Sequence, residues 1–312
     1  MDPMSPLALD DSRIEHRYVA LSGVRLHCVV ARPSKPRPGA PPVVLLHGFP
    51  EFWYAWRHQI VALQAAGFEV WAPDLRGYNL SDHPRGVANY TVERLADDVA
   101  ELVAQIGPGP AHVVGHDWGG MVAWWFAMRH PAQLDRLVVL NCPHPGHQLA
   151  MMVDPEQLRR SFYMIMMQLP GLAERRLAAD DFAVIRSTYR REPSSGPLAD
   201  AEIDAHVAAI RNGSPTAMVN YYRALLRRSP FALRRALRPI DRPVQVLWGM
   251  ADRHLGFRYA EPPAKWVWHC RFDPIPGASH WLHLDHADAV NTAMLEFFGV
   301  HDPSLGPSGA RP

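Results

Sequence analysis

Short runs that are wholly or mostly apolar recur along the chain and restrict the folds open to it. The clearest is Val43-Val44-Leu45-Leu46, and others lie at residues 111–114, 137–140 and 244–248. A strand that is apolar at every position is buried on both faces, as in parallel sheets covered by helices. Segments with apolar residues at helical spacing separate these runs. The alternation predicts an α/β fold with a mostly parallel sheet flanked by helices.

The pattern changes twice along the chain. Residues 14–20 and 24–32 are predicted to form a hairpin before the alternating elements begin. Residues 143–235 show helical spacing without a buried-strand run, and the α/β pattern returns at residue 244. The predicted organisation is a core (residues 14–141 and 236–299), an inserted helical cap (142–235) and flexible tails (1–13 and 300–312).

Helices are predicted wherever apolar residues recur every three or four positions. In the cap the predicted helices cover residues 157–168, 171–177, 180–189, 201–211 and 215–226. In the core they cover residues 55–66, a segment that starts after Thr91, and residues 119–128, 258–268 and 288–298.

Composition excludes several classes of protein. The chain of 312 residues is 48% hydrophobic, enough for a sizeable core, and its formal net charge of +1 offers no footprint for nucleic acid or an anionic membrane. The three cysteines form no CxxC pair, so neither a disulfide framework nor a metal site is expected. No secretory signal is recognised, and no apolar run is long enough to span a bilayer. A cytoplasmic protein is expected.

The sharpest local signal is Gly115-His116-Asp117-Trp118-Gly119-Gly120, between a predicted strand and a predicted helix. This is the G-x-nucleophile-x-G pattern of a nucleophile elbow, in which glycines permit a tight turn that lifts the middle side chain above the sheet. The start of the following helix favours negative charge. A simple helix N-cap at Asp117 would not need glycines on both sides. Asp117 is therefore the candidate nucleophile.

An Asp in place of Ser at the elbow changes the chemistry. A Ser oxygen that attacks an sp3 carbon forms an ether, which water does not readily cleave, whereas a carboxylate forms an ester. Asp117 therefore indicates alkyl transfer to the enzyme, followed by hydrolysis of the alkyl-enzyme ester. The leaving group is expected to be an epoxide oxygen or a halide.

Hydrolysis of that ester needs a base, and His280 is the candidate. It lies in Gly277-Ala278-Ser279-His280-Trp281, between the last predicted strand and the last helix. Asp252 follows the predicted strand at 244–248, so both residues are expected at the same sheet edge as the elbow. The chain order of nucleophile, acid and His matches the α/β-hydrolase arrangement. Asp252 is expected to orient His280, which would activate water.

Two backbone N–H groups are candidates for an oxyanion hole. The loop His47-Gly48-Phe49-Pro50 follows the strand at 43–46, and in this arrangement that loop donates one N–H while the residue after the nucleophile donates the other. The expected donors are Phe49 and Trp118, which are also expected to contact the substrate.

At this point the sequence resembles the α/β-hydrolase superfamily and, within it, the epoxide hydrolases. Four segments carry the resemblance: HGFPEFWYAWRHQI (47–60), DLRGYNLSD (74–82), GHDWGG (115–120) and GASHWLHLDH (277–286). The similarity extends over nearly all of residues 14–299 and is looser in the cap. It implies an α/β-hydrolase fold with an inserted cap and no cofactor.

The resemblance also implies two cap tyrosines that bind and protonate the epoxide oxygen. Phe162-Tyr163, followed by Gln168-Leu169-Pro170-Gly171, resembles the segment that bears the first tyrosine. Asn220-Tyr221-Tyr222-Arg223 resembles the segment that bears the second. The carry-over gives Tyr163 and Tyr222 as catalytic and substrate-binding residues, with Tyr221 as the rival of Tyr222. A phenol stays protonated at neutral pH and can donate to an alkoxide.

The sequence predicts an epoxide hydrolase that forms a vicinal diol from a small apolar epoxide and water. It is expected to act as a monomer or homodimer without nucleic acid, membrane, metal or cofactor. The enzymatic alternative is a haloalkane or haloacid dehalogenase, which uses the same Asp nucleophile. The non-enzymatic alternative is a ligand-binding receptor on the same fold, and the full set of nucleophile, acid and base argues against it.

Overall fold

The computed structural model describes residues 13–300 and contains a mixed sheet of eight strands. In chain order the strands are β1 (Ile14–Leu21), β2 (Val24–Ala31), β3 (Val43–Leu46), β4 (Val70–Pro73), β5 (Ala111–His116), β6 (Leu134–Leu140), β7 (Val244–Gly249) and β8 (Cys270–Ile275). Their spatial order is β1-β2-β4-β3-β5-β6-β7-β8. The first two pairings are antiparallel and the other five are parallel. The predicted mostly parallel sheet is confirmed.

Helices cover both faces of the sheet. The core helices are α1 (Arg57–Ala65), α2 (Val92–Ile106), α3 (Trp118–Arg129), α11 (Leu282–Asp285) and α12 (Ala287–Phe297). On one face, α2 and α3 pack in a cluster with the side chains of Val44 and Val113. On the other, α1 and α12 pack with Leu45 and Val114. Alternate residues of β3 and β5 serve opposite clusters, so both strands are buried along their whole length. β3 is apolar at every position, whereas β5 also contains the buried residues His112 and His116.

The strand register brings distant segments to one edge. Leu46 of β3 pairs with Gly115 of β5, and His116 pairs with Leu140 of β6. Leu140 in turn pairs with Leu247 of β7, which runs parallel to β8. The chain therefore leaves β3, β5, β6, β7 and β8 at the same edge, where ligands bind in open α/β sheets.

Residues 142–235, called the cap here, contain helices and no strand. They are α4 (Gln148–Met151), α5 (Pro155–Arg160), α6 (Phe162–Met166), α7 (Leu172–Arg191), α8 (Asp200–Asn212), α9 (Pro215–Leu226) and α10 (Pro230–Ala236). The left-handed backbone at Asp180, Asp181 and Phe182 breaks α7 where two separate helices were predicted. Within residues 13–300, no helix has both the length and the apolar character that a membrane crossing requires.

Two helix predictions were wrong. The helix predicted over residues 157–168 is divided between α5 and α6, because the backbone at Ser161 leaves the helical region with φ −93° and ψ 8°. The helix predicted around residues 258–268 is reduced to a 3-10 turn at Phe257–Tyr259. Pro262 and Pro263 follow this turn, and proline removes an N–H donor and clashes with the preceding helical turn. The predicted tails lie outside the described residues, except for residues 13 and 300.

The first turn of α3 lies against the end of β3. A Cβ placed on Gly119 would be 2.0 Å from the carbonyl oxygen of Leu46 and 2.6 Å from that of His47. These atoms are backbone and cannot rotate away. Only a residue without a side chain lets α3 start this close to the sheet.

We expect Gly119→Ala to lower the free energy of unfolding by about 3 kcal/mol or more, because backbone must move to admit the methyl group. Urea unfolding measures the change. Gly109→Ala is the matched control, since a Cβ there meets no atom within 4 Å, and it should change stability by no more than about 0.5 kcal/mol. Equal stability of the two variants would contradict the close approach.

Candidate active site

Asp117 lies between β5 and α3 in a strained turn. Its φ is 49° and its ψ is −116°, a conformation that few residues other than glycine adopt. A Cβ at Gly115 would lie 2.4 Å from the carbonyl oxygen of Gly119, and one at Gly120 would lie 2.6 Å from the Cβ of Cys142. Each glycine of the elbow therefore removes a collision that a side chain would cause, and the tight turn exposes the Asp117 carboxylate at the sheet edge.

The two carboxylate oxygens of Asp117 have different neighbours. Oδ1 accepts a hydrogen bond of 2.9 Å from the backbone N–H of Phe49. Oδ2 lies 3.7 Å from Nε2 of His280, which is an ion-pair distance and longer than a hydrogen bond. The Trp118 N–H belongs to the first turn of α3, where helices leave N–H groups without intrahelical partners. The predicted donors Phe49 and Trp118 thus both lie beside Asp117.

His280 also contacts the second predicted carboxylate. Its Nδ1 lies 2.7 Å from Oδ2 of Asp252. Oδ1 of Asp252 accepts hydrogen bonds from the backbone N–H groups of His254, at 2.7 Å, and Leu255, at 2.9 Å. Asp252 and His280 are both buried. The imidazole is therefore held between two carboxylates, with one nitrogen directed to each.

Burial and charge set the ionisation of this trio. Burial disfavours the charged forms, but the charge of His280 outweighs burial and lowers the pKa of Asp117 and of Asp252. Burial alone would lower the pKa of His280, but Asp252 and Asp117 outweigh it and raise that pKa well above the ordinary value. These interactions favour the ionised forms, an imidazolium between two carboxylates.

The two predicted tyrosines face the same space as Asp117. Tyr163 starts α6 with Phe162, Tyr222 lies in α9, and their ring centroids are 5.9 Å apart. The Tyr222 ring also contacts Trp118, at 5.0 Å, and Phe49, at 5.6 Å. Burial raises the pKa of both phenols, and the charge of Asp117 raises it further. Both hydroxyls are consequently protonated at neutral pH.

Tyr221 occupies a different environment from its neighbour. Its hydroxyl donates a 2.7 Å hydrogen bond to the carbonyl oxygen of Arg76, and its ring packs against Tyr78, Tyr90 and Trp118. Successive residues of a helix point in directions about 100° apart. Tyr222 therefore lines the cavities described next, whereas Tyr221 lies beneath them in the core.

Two cavities meet at Asp117, Tyr163 and Tyr222, which line both. The larger cavity has a volume of about 410 Å³ and also contains Phe49 and His280. The smaller has a volume of about 190 Å³. Most other lining side chains are apolar, among them Met166, Leu177, Ile185 and Trp281 in the larger cavity and Met121, Met164, Leu225 and Leu255 in the smaller.

A buried polar group that the sequence did not predict lies behind the elbow. Glu51 Oε2 accepts hydrogen bonds of 2.8 Å from the Gly48 N–H and from His116 Nδ1, and its Oε1 lies 3.1 Å from His283 Nε2. Burial lowers the pKa of His283 to about 4, so its ring is neutral at pH 7. The only sequence signal was an acid directly after the His47–Pro50 loop. Glu51 fixes the Gly48 N–H and so supports the loop that carries Phe49.

These three side chains are of types that can bind a metal ion. Glu51, His116 and His283 place ligand atoms within 4.8 Å of one another. Glu51 Oε2, however, is already hydrogen-bonded, and His116 Nε2 is 2.8 Å from the carbonyl oxygen of His280. Both nitrogens of His116 are thus directed at protein acceptors, which does not fit a metal ligand.

Comparison with known proteins identifies the family. A family model described as alpha/beta hydrolase fold matches residues 41–287. The chain is 35% identical to AB hydrolase superfamily protein YfhM of Bacillus subtilis, over 91% of this chain and 98% of that protein. It is 32% identical to Epoxide hydrolase 1 of Caenorhabditis elegans, over 92% of this chain and 71% of that protein.

A solved structure agrees with these relatives. A mutant of an epoxide hydrolase from Bacillus megaterium superposes with a TM-score of 0.82 at 28% identity, covering 91% of this chain and all 100% of that one. The chain belongs to the α/β-hydrolase superfamily and, within it, to the family that contains these epoxide hydrolases.

The electrostatic arrangement makes a direct prediction about Asp117. Asp117→Asn removes one of the two carboxylates that stabilise the imidazolium, so the pKa of His280 should fall by about one pH unit or more. NMR titration of the His280 ring measures it. Asp97→Asn, which removes an exposed carboxylate from Arg129 and His130, is the control and should leave that pKa unchanged. An unchanged His280 pKa in Asp117→Asn would contradict the assigned ion pair.

Proposed function

We propose that the protein is an epoxide hydrolase, which converts an epoxide to a vicinal diol through an alkyl-enzyme ester on Asp117. One observation carries the proposal: two phenol hydroxyls, on Tyr163 and Tyr222, face the same cavities as an Asp at the nucleophile position. A carboxylate supplies an attacking oxygen for an sp3 carbon, and phenols supply protons for the alkoxide that ring opening produces. The relatives named epoxide hydrolases support the same reaction.

In the first step, Asp117 opens the ring. An oxygen lone pair of Asp117 attacks one epoxide carbon, and the electrons of the broken carbon–oxygen bond pass to the ring oxygen. Tyr163 and Tyr222 hold this oxygen, and one of them gives it a proton. Because the pKa of Asp117 is lowered, its carboxylate is ionised and nucleophilic at neutral pH. The substrate is now bound to Asp117 as an ester and has a hydroxyl on the neighbouring substrate carbon. One of the two tyrosines is a tyrosinate.

Ester formation changes the charge that faces His280. Asp117 becomes neutral, so one of the two interactions that raise the pKa of His280 is lost and the imidazolium can release its proton. That proton restores the tyrosine phenol. Neutral His280 is then a base, and Asp252 continues to orient it through Nδ1. His280 can therefore act as a base only after the first step.

In the second step, His280 removes a proton from water, and the hydroxide adds to the ester carbonyl carbon. The N–H groups of Phe49 and Trp118 stabilise the negative oxygen that develops. Collapse of this intermediate breaks the bond between the former carbonyl carbon and the oxygen that carries the alkyl group. That oxygen takes the remaining proton of the added hydroxyl and leaves as part of the diol, so Asp117 is again a carboxylate beside an imidazolium. Atoms and protons balance over the cycle, which consumes one water and needs no cofactor.

The substrate is proposed to be a small apolar epoxide. The larger cavity accommodates the larger substituent and the smaller cavity the smaller one, because both meet where the reacting carbon must lie. The proposal also includes the division of the chain into core and cap, a cytoplasmic location, and action as a monomer or homodimer. The three cysteines, which are free thiols, are compatible with a reducing compartment.

Dehalogenation is the alternative reaction against which epoxide hydrolysis is tested. A halide leaves without a proton, so it gives no role to two converging phenols. Release of halide from alkyl halides, with no diol formed from epoxides, would favour that reaction and overturn the proposal.

Single turnover in heavy-oxygen water tests the ester route. With enzyme in excess over a racemic aryl or alkyl epoxide, the first diol should be free of label, because its new oxygen comes from Asp117. Mass spectrometry should find the label in the Asp117 peptide after several turnovers. Label in the diol of the first turnover would show direct attack by water and contradict the proposal.

The adjacent tyrosines provide a matched pair of variants. Tyr222→Phe should lower kcat/KM for an epoxide by about tenfold or more, because a proton donor is lost. Tyr221→Phe should keep kcat/KM within about twofold, but should lower the free energy of unfolding by about 1–3 kcal/mol because the Arg76 carbonyl loses a buried partner. Steady-state kinetics and urea unfolding measure both effects. The reverse pattern would assign the donor to Tyr221.

A further inference from the structure

Asp252 lies in a loop after β7 that is hydrogen-bonded to the cap, mainly through one short segment, residues 154–160. A further contact joins His254 Nε2 to Glu192 Oε2, at 2.7 Å. We propose that Asp154, Gln157 and Arg160, at and around α5, position Asp252 for catalysis, with Gln157 as the principal positioning residue. The inference rests on the proposed function and concerns only its second step. It assigns to the cap a part in ester hydrolysis, in addition to supplying the tyrosines.

Gln157 joins the two parts of the chain through its side-chain amide. Its Nε2 donates a 2.9 Å hydrogen bond to the carbonyl oxygen of His254, and its Oε1 accepts one of 2.9 Å from the Gly256 N–H. The second Nε2 proton goes to Ser161 Oγ, at 2.8 Å. Only 2% of Gln157 is exposed. A buried amide with every one of these groups engaged holds the His254–Gly256 backbone in one position.

Neighbours of Gln157 extend the attachment along the same loop. Arg160 Nη1 donates a 2.9 Å hydrogen bond to the carbonyl oxygen of Asp252 itself. At the other end, the Tyr259 hydroxyl donates to Asp154 Oδ2 at 2.8 Å. The segment therefore holds the loop at Asp252, at its middle and at the 3-10 turn that contains Tyr259.

The backbone that Gln157 holds is the backbone that orients the acid. The N–H groups of His254 and Leu255 donate hydrogen bonds to Asp252 Oδ1. Gln157 binds the carbonyl of His254 and the N–H of Gly256, which flank Leu255 in the chain. Fixing Oδ1 leaves Oδ2 directed at His280. A shift of this loop would therefore move the carboxylate that orients the imidazole.

The two chemical steps depend on this loop to different degrees. Ring opening uses Asp117, Tyr163 and Tyr222, whereas hydrolysis of the ester uses His280 and Asp252. Loss of the Gln157 contacts should therefore slow hydrolysis and leave alkylation nearly intact. A residue that only stabilised the fold would change both steps or neither.

Gln157→Met keeps the side-chain volume and removes all three hydrogen bonds. We expect kcat for a racemic aryl epoxide to fall about tenfold, with kcat/KM, which reports alkylation, within about twofold of the wild type. The alkyl-enzyme should accumulate and appear as a mass increase of one substrate during steady-state turnover. Arg159→Gln is the matched control, because Arg159 lies on the exposed side of α5, and it should leave both parameters unchanged.

Arg160→Met is the second variant, and it serves if Gln157→Met does not fold. It removes the donor to the Asp252 carbonyl, so it should lower kcat with the same small effect on kcat/KM. A parallel fall of kcat and kcat/KM, or no fall in kcat, in the folded variant would overturn the inference. Absence of epoxide turnover by the wild type would instead refute the proposed function, on which this inference rests.

Discussion

The geometry of the site depends on a strained backbone at one residue. Asp117 adopts a φ of 49° at the junction of β5 and α3, and such strain persists only where the surroundings enforce it. Gly115, Gly119 and Gly120 allow this enforcement, because their missing side chains let α3 start against β3 and β6. The same turn aims the carboxylate at the edge where the Phe49 loop and the His280 loop also end.

A second constraint is the burial of three ionisable groups in direct contact. An isolated buried charge is costly, but an imidazolium between two carboxylates compensates much of that cost, provided that the geometry is kept. The compensation also links the steps of the proposed reaction, because removing the charge of Asp117 changes the basicity of His280. Electrostatics thus sets the order of the two proposed steps. The cap contributes two features to the site, namely the tyrosines above Asp117 and the α5 segment that holds the loop of Asp252.

Much of this architecture could be predicted from the sequence. The apolar run at β3 and the mostly apolar run at β5 predicted the parallel sheet because both strands are covered on both faces, and the glycines at residues 115–120 predicted the elbow. The helix predicted at 258–268 failed because Pro262 and Pro263 outweigh the apolar spacing. The helix at 157–168 failed because Ser161 lies in a bend that the apolar pattern does not reveal.

Other features depend on three-dimensional contacts that no local pattern encodes. Tyr221 and Tyr222 have the same side-chain chemistry and differ only in their surroundings. The Tyr221 hydroxyl is bonded to the Arg76 carbonyl, whereas Tyr222 lines the cavities. Gln157 contacts a loop about a hundred residues away in sequence, so its neighbours in the chain give no signal. The Glu51, His116 and His283 group is equally dispersed.

Trapping the covalent intermediate tests the central claim most directly. In His280→Gln the nucleophile and both tyrosines remain, while the base that cleaves the ester is absent. Incubation with an epoxide should raise the mass of the intact chain by the mass of one substrate, and peptide mapping should place the adduct on Asp117. Free diol without any adduct, or an adduct on another residue, would contradict nucleophilic attack by Asp117.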